Sequence, residues 1–157
     1  MLNNLDDRDF KLISLMQENA RTNLDVLSDA TNLSVPSVQR RLKKLRDNGV
    51  IDREVALISP GKLGYNMSFI VMVELERESL DKLDAFKKKI DLEPRVQQSY
   101  YVTGESDFVL ICLVRDVNDF ENLTHTLFFE NSNVRRFRTS MVMGNNKIGL
   151  GVPTLSL

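Results

Sequence analysis

The chain has 157 residues, 42% hydrophobic and 27% charged, with a formal net charge of −1. That is an ordinary folded-domain composition, and no apolar run approaches the roughly twenty residues of a membrane span. The opening MLNNLDDRDF carries acids where a secretory signal would carry bases, so a cytoplasmic protein without a membrane partner is expected.

A first helix opens at Leu5 and Asp6, with Asp6, Asp7 and Asp9 where the helix dipole favours anions. Leu12, Ile13, Leu15 and Met16 supply its apolar side, and it is expected to end near Asn19 and Ala20. Asn23 can cap a short second helix that carries Leu24, Leu27 and Ala30 and ends at Thr31. Asn32, Leu33 and Ser34 then form a tight turn, Asn being one of the few residues besides glycine that tolerates a left-handed position.

The third helix starts with Ser34 as N-cap and Pro36 in its first turn, where a missing N–H costs nothing. Val35, Val38, Leu42 and Leu45 recur at helical spacing, and Gly49 can end the helix in the left-handed conformation. The other faces carry Ser37, Gln39, Arg40, Arg41, Lys43, Lys44 and Arg46, with no acid between Ser34 and Arg46. A basic face alone is usually a solvated surface. A short helix, a three-residue turn and a basic helix together are the helix-turn-helix arrangement, whose second helix enters the major groove. Ser34, Pro36, Ser37, Gln39, Arg40, Arg41, Lys43 and Lys44 are therefore the candidate contacts to a double-stranded DNA operator. Arg40 and Lys44 are expected to carry much of the contact, with Ser37 and Gln39 near base edges. Residues 1–64 hold ten Lys/Arg against nine Asp/Glu, so the positive charge is local to this helix. Affinity then calls for more than one copy of it.

Val50–Ile51 and Val55–Ile58 read as strands after Gly49, making a winged or strand-extended helix-turn-helix. Ser59, Pro60 and Gly61 break the pattern, and Gly64 marks a boundary between domains 1–64 and 65–157. The second domain alternates strand and helix. Its expected elements are a strand over 67–75, a helix over 79–90 carrying Leu80, Leu83, Phe86, Lys87 and Ile90, and strands over 96–102 and 108–114. Asp116 then caps a helix carrying Val117, Phe120, Leu123, Leu127 and Phe128, and a strand over 134–143 closes the order. This βαββαβ succession is the ferredoxin-like split unit, four antiparallel strands with two helices on one face, and the whole chain is of the α+β class. The other sheet face needs a cover, most economically a second copy, so a homodimer is expected. Val71, Val73, Phe108 and Leu110 are candidate contributors, although strand alternation leaves open which parity faces the partner.

Chemistry is sparse. Cys112 lies in the apolar run FVLICLV and reads as a small core residue; with His125 as the one histidine there is no Cys/His zinc set. Neither residue has a nucleophile elbow or a supporting acid nearby, so no enzyme and no cofactor is expected. The turn Gly104–Asp107 has two readings: a hairpin loop with Gly104 at positive φ and Asp107 bonding backbone amides, or the edge of a ligand pocket.

Leu5-Asp6, Asp9, Asn19-Ala20-Arg21, Leu27, Leu33-Ser34, Val38, Arg41-Leu42, Leu45 and Gly49-Val50-Ile51, followed by Leu63-Gly64, Val102-Thr103-Gly104-Glu105-Ser106-Asp107, Val134, Thr139, Val142 and Lys147, resemble the Lrp/AsnC (feast/famine) family of transcription regulators in order and spacing, over essentially the whole chain. The resemblance implies a C-terminal RAM/ACT-like domain that dimerises through its sheets, assembles further into tetramers or octamers, and binds a small effector, usually an amino acid. On it, Thr103, Gly104, Glu105, Ser106 and Asp107 become candidate effector residues, Asp107 for the ammonium and backbone near Gly104 for the carboxylate, with Thr139, Ser140 and Met141 completing the pocket. The chain departs from the family at Asn32 and Asn133, where glycine is usual, and at Ser28 and Thr31, where more apolar residues stand. A less tightly packed middle helix is expected there. Two other functions compete with an effector-responsive regulator: an architectural DNA-binding protein with little sequence choice, and an amino-acid-binding module without DNA function.

Overall fold

Asp6 and Asp9 start the chain's first helix by a reciprocal cap. Asp6 Oδ1 accepts from the Asp9 N–H at 2.9 Å, and Asp9 Oδ2 accepts from the Asp6 N–H at 3.2 Å. In the computed structural model, which describes residues 5–76, 80–130 and 133–154, this cap opens α1 (Asp7–Glu18). Next come α2 (Leu24–Thr31), capped by the Asn23 side chain, and α3 (Val35–Asp47). The chain divides into two compact units, Met1–Leu57 with Ile148–Leu157, and Ile58–Lys147. The division falls seven residues ahead of the expected Gly64 boundary, and the described residues from Ile148 to Thr154 group with the first unit.

In the first unit Leu12, Met16, Leu27, Val38, Leu42 and Leu45 form the core, the stripe that helical spacing predicts. Asn32 does take the left-handed conformation (φ 53°) between α2 and α3. The hydroxyls of Ser28 and Thr31 cost α2 little, because each is satisfied: Thr31 donates to Leu27 O at 2.7 Å and Ser28 donates to Leu33 O. Ser34 occupies the N-cap of α3 but makes no capping hydrogen bond. At the other end Gly49 (φ 68°) donates to Arg46 O and Val50 donates to Leu45 O, a paired closure that satisfies two carbonyls. Beyond it the expected strands at Val50–Ile51 and Val55–Ile58 do not form. Ile51 packs on the core, while Val55, Leu57 and Ile58 stay exposed in irregular chain; among the described residues no strand pairs with them.

The second unit opens on a 3-10 turn (Pro60–Leu63) ended by Gly64 at φ 83°. It continues through β1 (Met67–Leu75), α4 (Leu80–Asp91), β2 (Val96–Tyr101), β3 (Phe108–Val114), α5 (Val117–Thr124) and β4 (Val134–Met141). Ser79, expected to begin α4, lies outside the described residues. The antiparallel sheet has the order β2-β3-β1-β4, as the βαββαβ reading requires. Phe69, Val71, Val73, Phe108, Leu110, Cys112 and Val114 point to the helix side, where Phe86 and Ile90 of α4 and Leu123, Leu127 and Phe128 meet them. Val117, assigned to that apolar side from spacing, is exposed, and α5 passes into a π-helical turn at His125–Phe129. Burial pushes the Cys112 thiol up to about 12, which keeps it protonated and inert at neutral pH.

Arg95 ties the α4–β2 connection to α5. Its guanidinium lies 2.7 Å from Glu93 and 2.9 Å from Asp119. Glu93 is held below the ordinary carboxylate range, chiefly by Arg95's hydrogen bonds, and Asp119 is held below it first by the Arg115 backbone N–H and then by Arg95. A depressed carboxylate adds stability that is complete above its unfolded value, about 4, and lost as pH falls through its folded value. The second unit is therefore expected to lose stability below about pH 4, and Arg95→Ala to flatten that dependence. Acid titration of both proteins followed by circular dichroism checks this; parallel profiles would rule out the Arg95 cluster as the cause.

Candidate functional site

Along α3 the 3.6-residue repeat sends Val38, Leu42 and Leu45 inward, so Pro36, Arg40, Lys43 and Lys44 face solvent. Ser34 and Gln39 are also exposed, and Ser37 is half-buried beside them. Among the described residues Arg40, Lys43 and Lys44 enter no ion pair, whereas two other arginines of the helix are engaged. Arg41 turns back to α1, its Nη1 lying 2.9 Å from Asp6 and 2.8 Å from Asp9. Asp9 is buried, so this pair staples α3 to the capped end of α1, and Arg41 stands apart from the outward row in which sequence reading placed it. Arg46 pairs with Glu54. The remaining cations form a short positive surface on an otherwise near-neutral unit, suited to phosphates.

The second candidate is the loop between β2 and β3. Gly104 takes φ 126°, which a side chain would strain. Asp107 is pinned three ways: its carbonyl accepts from Val102 N, its N–H donates to Val73 O, and its Oδ2 accepts from Leu75 N at 2.7 Å. That last bond satisfies an amide at the β1–β4 irregularity between Glu74 and Leu75. The hairpin reading of Asp107 is thus real, and only part of its carboxylate is left for a ligand. Gly104–Asp107 border a cleft of about 530 Å³ whose other walls are Glu74, Leu75, Glu76, Leu80, Leu83 and Tyr101. Thr103 is outside it, and so are Thr139, Ser140 and Met141. Thr139 and Met141, opposite Val71 and Phe69, share the helix-side face, while Ser140, opposite Ile70, is on the other. Within one chain these three therefore do not converge on the loop. Leu83 and Tyr101 were legible only as core and strand residues, since nothing local signals that the fold sets them beside the loop.

The third feature is the sheet face without helices. Residues opposite one another in register share a face, so Ile70, Met72, Val109, Ile111 and Leu113 make an apolar centre there. Arg136 and Arg138 of β4 flank it, with Arg136 on Glu74 and Arg138 on Glu105. The parity question is answered: Val71, Val73, Phe108 and Leu110 are core beneath the helices, so they are not the residues a covering partner would meet.

Two families cover these two units. Winged helix-turn-helix DNA-binding matches residues 5–52, and the Lrp/AsnC ligand binding domain matches residues 68–150. The chain belongs to the Lrp/AsnC family of transcriptional regulators. It is 41% identical over 149 residues to an uncharacterised HTH-type transcriptional regulator of Sinorhizobium fredii, covering 95% of this chain and 88% of that one. It is 31% identical over 139 residues to the leucine-responsive regulatory protein of Rhizobium meliloti, covering 88% of this chain and 89% of that protein. A transcriptional regulator of Neisseria meningitidis, solved as a complex with L-Met, superposes with a TM-score of 0.90 at 28% identity, covering 95% of this chain and 96% of that one. In this chain the helix-turn-helix is thus α1–α3 and the Lrp/AsnC ligand binding domain is the four-stranded unit. Among the described residues no helix is long and apolar enough to cross a membrane.

Proposed function

We propose that this Lrp/AsnC regulator binds operator DNA in the cytoplasm through the outward face of α3, as a homodimer or higher oligomer, and that an amino acid tunes the binding; it acts as a regulator rather than as an enzyme. The observation that carries the DNA reading is the row Arg40, Lys43 and Lys44, exposed and without ion pairs among the described residues while Arg41 and Arg46 of the same helix are engaged. Ser34, Pro36, Ser37 and Gln39, at the start of the same helix, lie where such helices approach base edges. For assembly, the Ile70–Ile111 apolar centre offers a self-complementary surface to a second copy. For the effector, the cleft beside Gly104–Asp107 combines backbone amides, carboxylates and apolar walls, the chemistry an amino acid's two ends and side chain need. The Neisseria relative's L-Met complex supports that ligand class. Thr103 adjoins the loop beside Gly104, and Thr139, Ser140 and Met141, which do not converge on the loop within one chain, would contribute from another copy.

Arg40→Ala is expected to weaken binding to the protein's own upstream DNA by about 1–3 kcal/mol with unchanged folding. Gel-shift titration, repeated with each of the twenty amino acids, checks both halves of the reading. Equal affinity of a folded Arg40→Ala protein would mean that another surface meets DNA. No response to any amino acid would remove the effector claim alone.

A further inference from the structure

We infer that Glu54 is an intramolecular competitor for a DNA phosphate, gating Arg46 as a further contact of α3; this rests on the reading of α3 as the DNA-binding helix. Arg46 follows Gln39 and Lys43 at the i, i+4, i+7 spacing of one helix flank, so its side chain continues the solvent-facing row toward the C-terminal end. Its Nε and Nη2 both donate to Glu54 Oε1, at 2.9 and 2.6 Å. A carboxylate there occupies the donors that would otherwise grip a phosphate oxygen, since guanidinium binds both anions with the same fork.

Two features make the pair a gate rather than a fixed strut. Both side chains are open to solvent, 44% and 37% exposed, and such surface pairs are weak and exchange readily. Arg41 shows the contrast, since its partner Asp9 has a side chain only 10% exposed. Moreover, Glu54 sits in irregular chain between α3 and the 3-10 turn, without a strand ladder to hold it, close to where the second unit begins at Ile58. Ile51 is held on the core of Leu12, Leu27 and Leu42 and its N–H donates to Leu45 O, so a displacement that begins after Ile51 moves the competitor and leaves that core in place.

Counterion release provides the test. Each phosphate newly neutralised steepens the fall of log K with log salt by about 0.9. Glu54→Gln, isosteric at an exposed position, is expected to bind operator DNA several-fold more tightly than wild type at low salt, with a slope steeper by about 0.9. Asp52→Asn, which makes the same charge change two residues away, is expected to leave the slope unchanged. In an Arg46→Ala background Glu54→Gln is expected to gain nothing. A gain that persists without Arg46, or an equal slope change from Asp52→Asn, would reduce the effect to general charge and overturn the gate. If Arg40→Ala weakens binding while Glu54→Gln changes nothing, the gate alone fails. If both are silent, the assignment of α3 fails with it.

Discussion

Arg41→Ala is expected to destabilise the helix-turn-helix unit by about 1–3 kcal/mol, the range for losing charge-assisted hydrogen bonds with a buried partner, while Arg40→Ala next to it leaves stability unchanged. Removing the guanidinium strands Asp9, a buried carboxylate 2.8 Å from Arg41 and part of the cap that starts α1. Asp6 is more open and contributes less. Its carboxyl is held below the ordinary range, first by the Asp9 backbone N–H and then by Arg41. The benefit of a depressed acid is present above its unfolded value and lost as pH falls through the folded one. The gap between wild type and Arg41→Ala should therefore narrow in acid. Urea denaturation at pH 7 and pH 3 measures both effects, and equal midpoints at pH 7 would mean that the Arg41 staple does not hold α3 to α1.

Ile111→Arg is expected to give monomers at micromolar concentration if a second copy covers the open sheet face. Ile111 lies at the middle of that face, opposite Ile70 on β1 and Gln98 on β2. A guanidinium there would have to be desolvated without a partner, at a cost of several kcal/mol, and a self-complementary interface incurs that cost in both copies. The fold should survive, because Ile111 is off the helix-packed core that Leu110 and Cys112 belong to. Sedimentation velocity alongside circular dichroism separates the cases. A wild-type monomer, or a folded Ile111→Arg dimer of wild-type stability, would mean that this face is not the interface.

The strands β1 and β3 stand within the bounds that alternation and apolar runs predict, and α2 ends at Thr31 as expected. These elements are legible because each is specified by its own residues: period 3.6 or 2, a capping side chain, a residue able to turn left-handed. The segment after Gly49 misled for the opposite reason. Val50, Ile51, Val55 and Leu57 have strand-forming side chains, but a strand needs a neighbour, and none pairs with them among the described residues.

By itself the sequence determined the two-part order, the helix-turn-helix with its basic third helix, and the βαββαβ succession, since local periodicity and turn chemistry encode all three. Tertiary structure alone decided what individual polar side chains are for. Arg41 meets Asp9, and Asp107 meets the Leu75 amide, each across 32 residues of chain. Helical spacing sets Arg41 on the flank of the Val38–Leu45 stripe, but no local pattern names Asp9 as its partner. It also decided which parity of β1 and β3 is core, because alternation gives two faces of similar hydrophobicity and only the side taken by α4 and α5 breaks the tie.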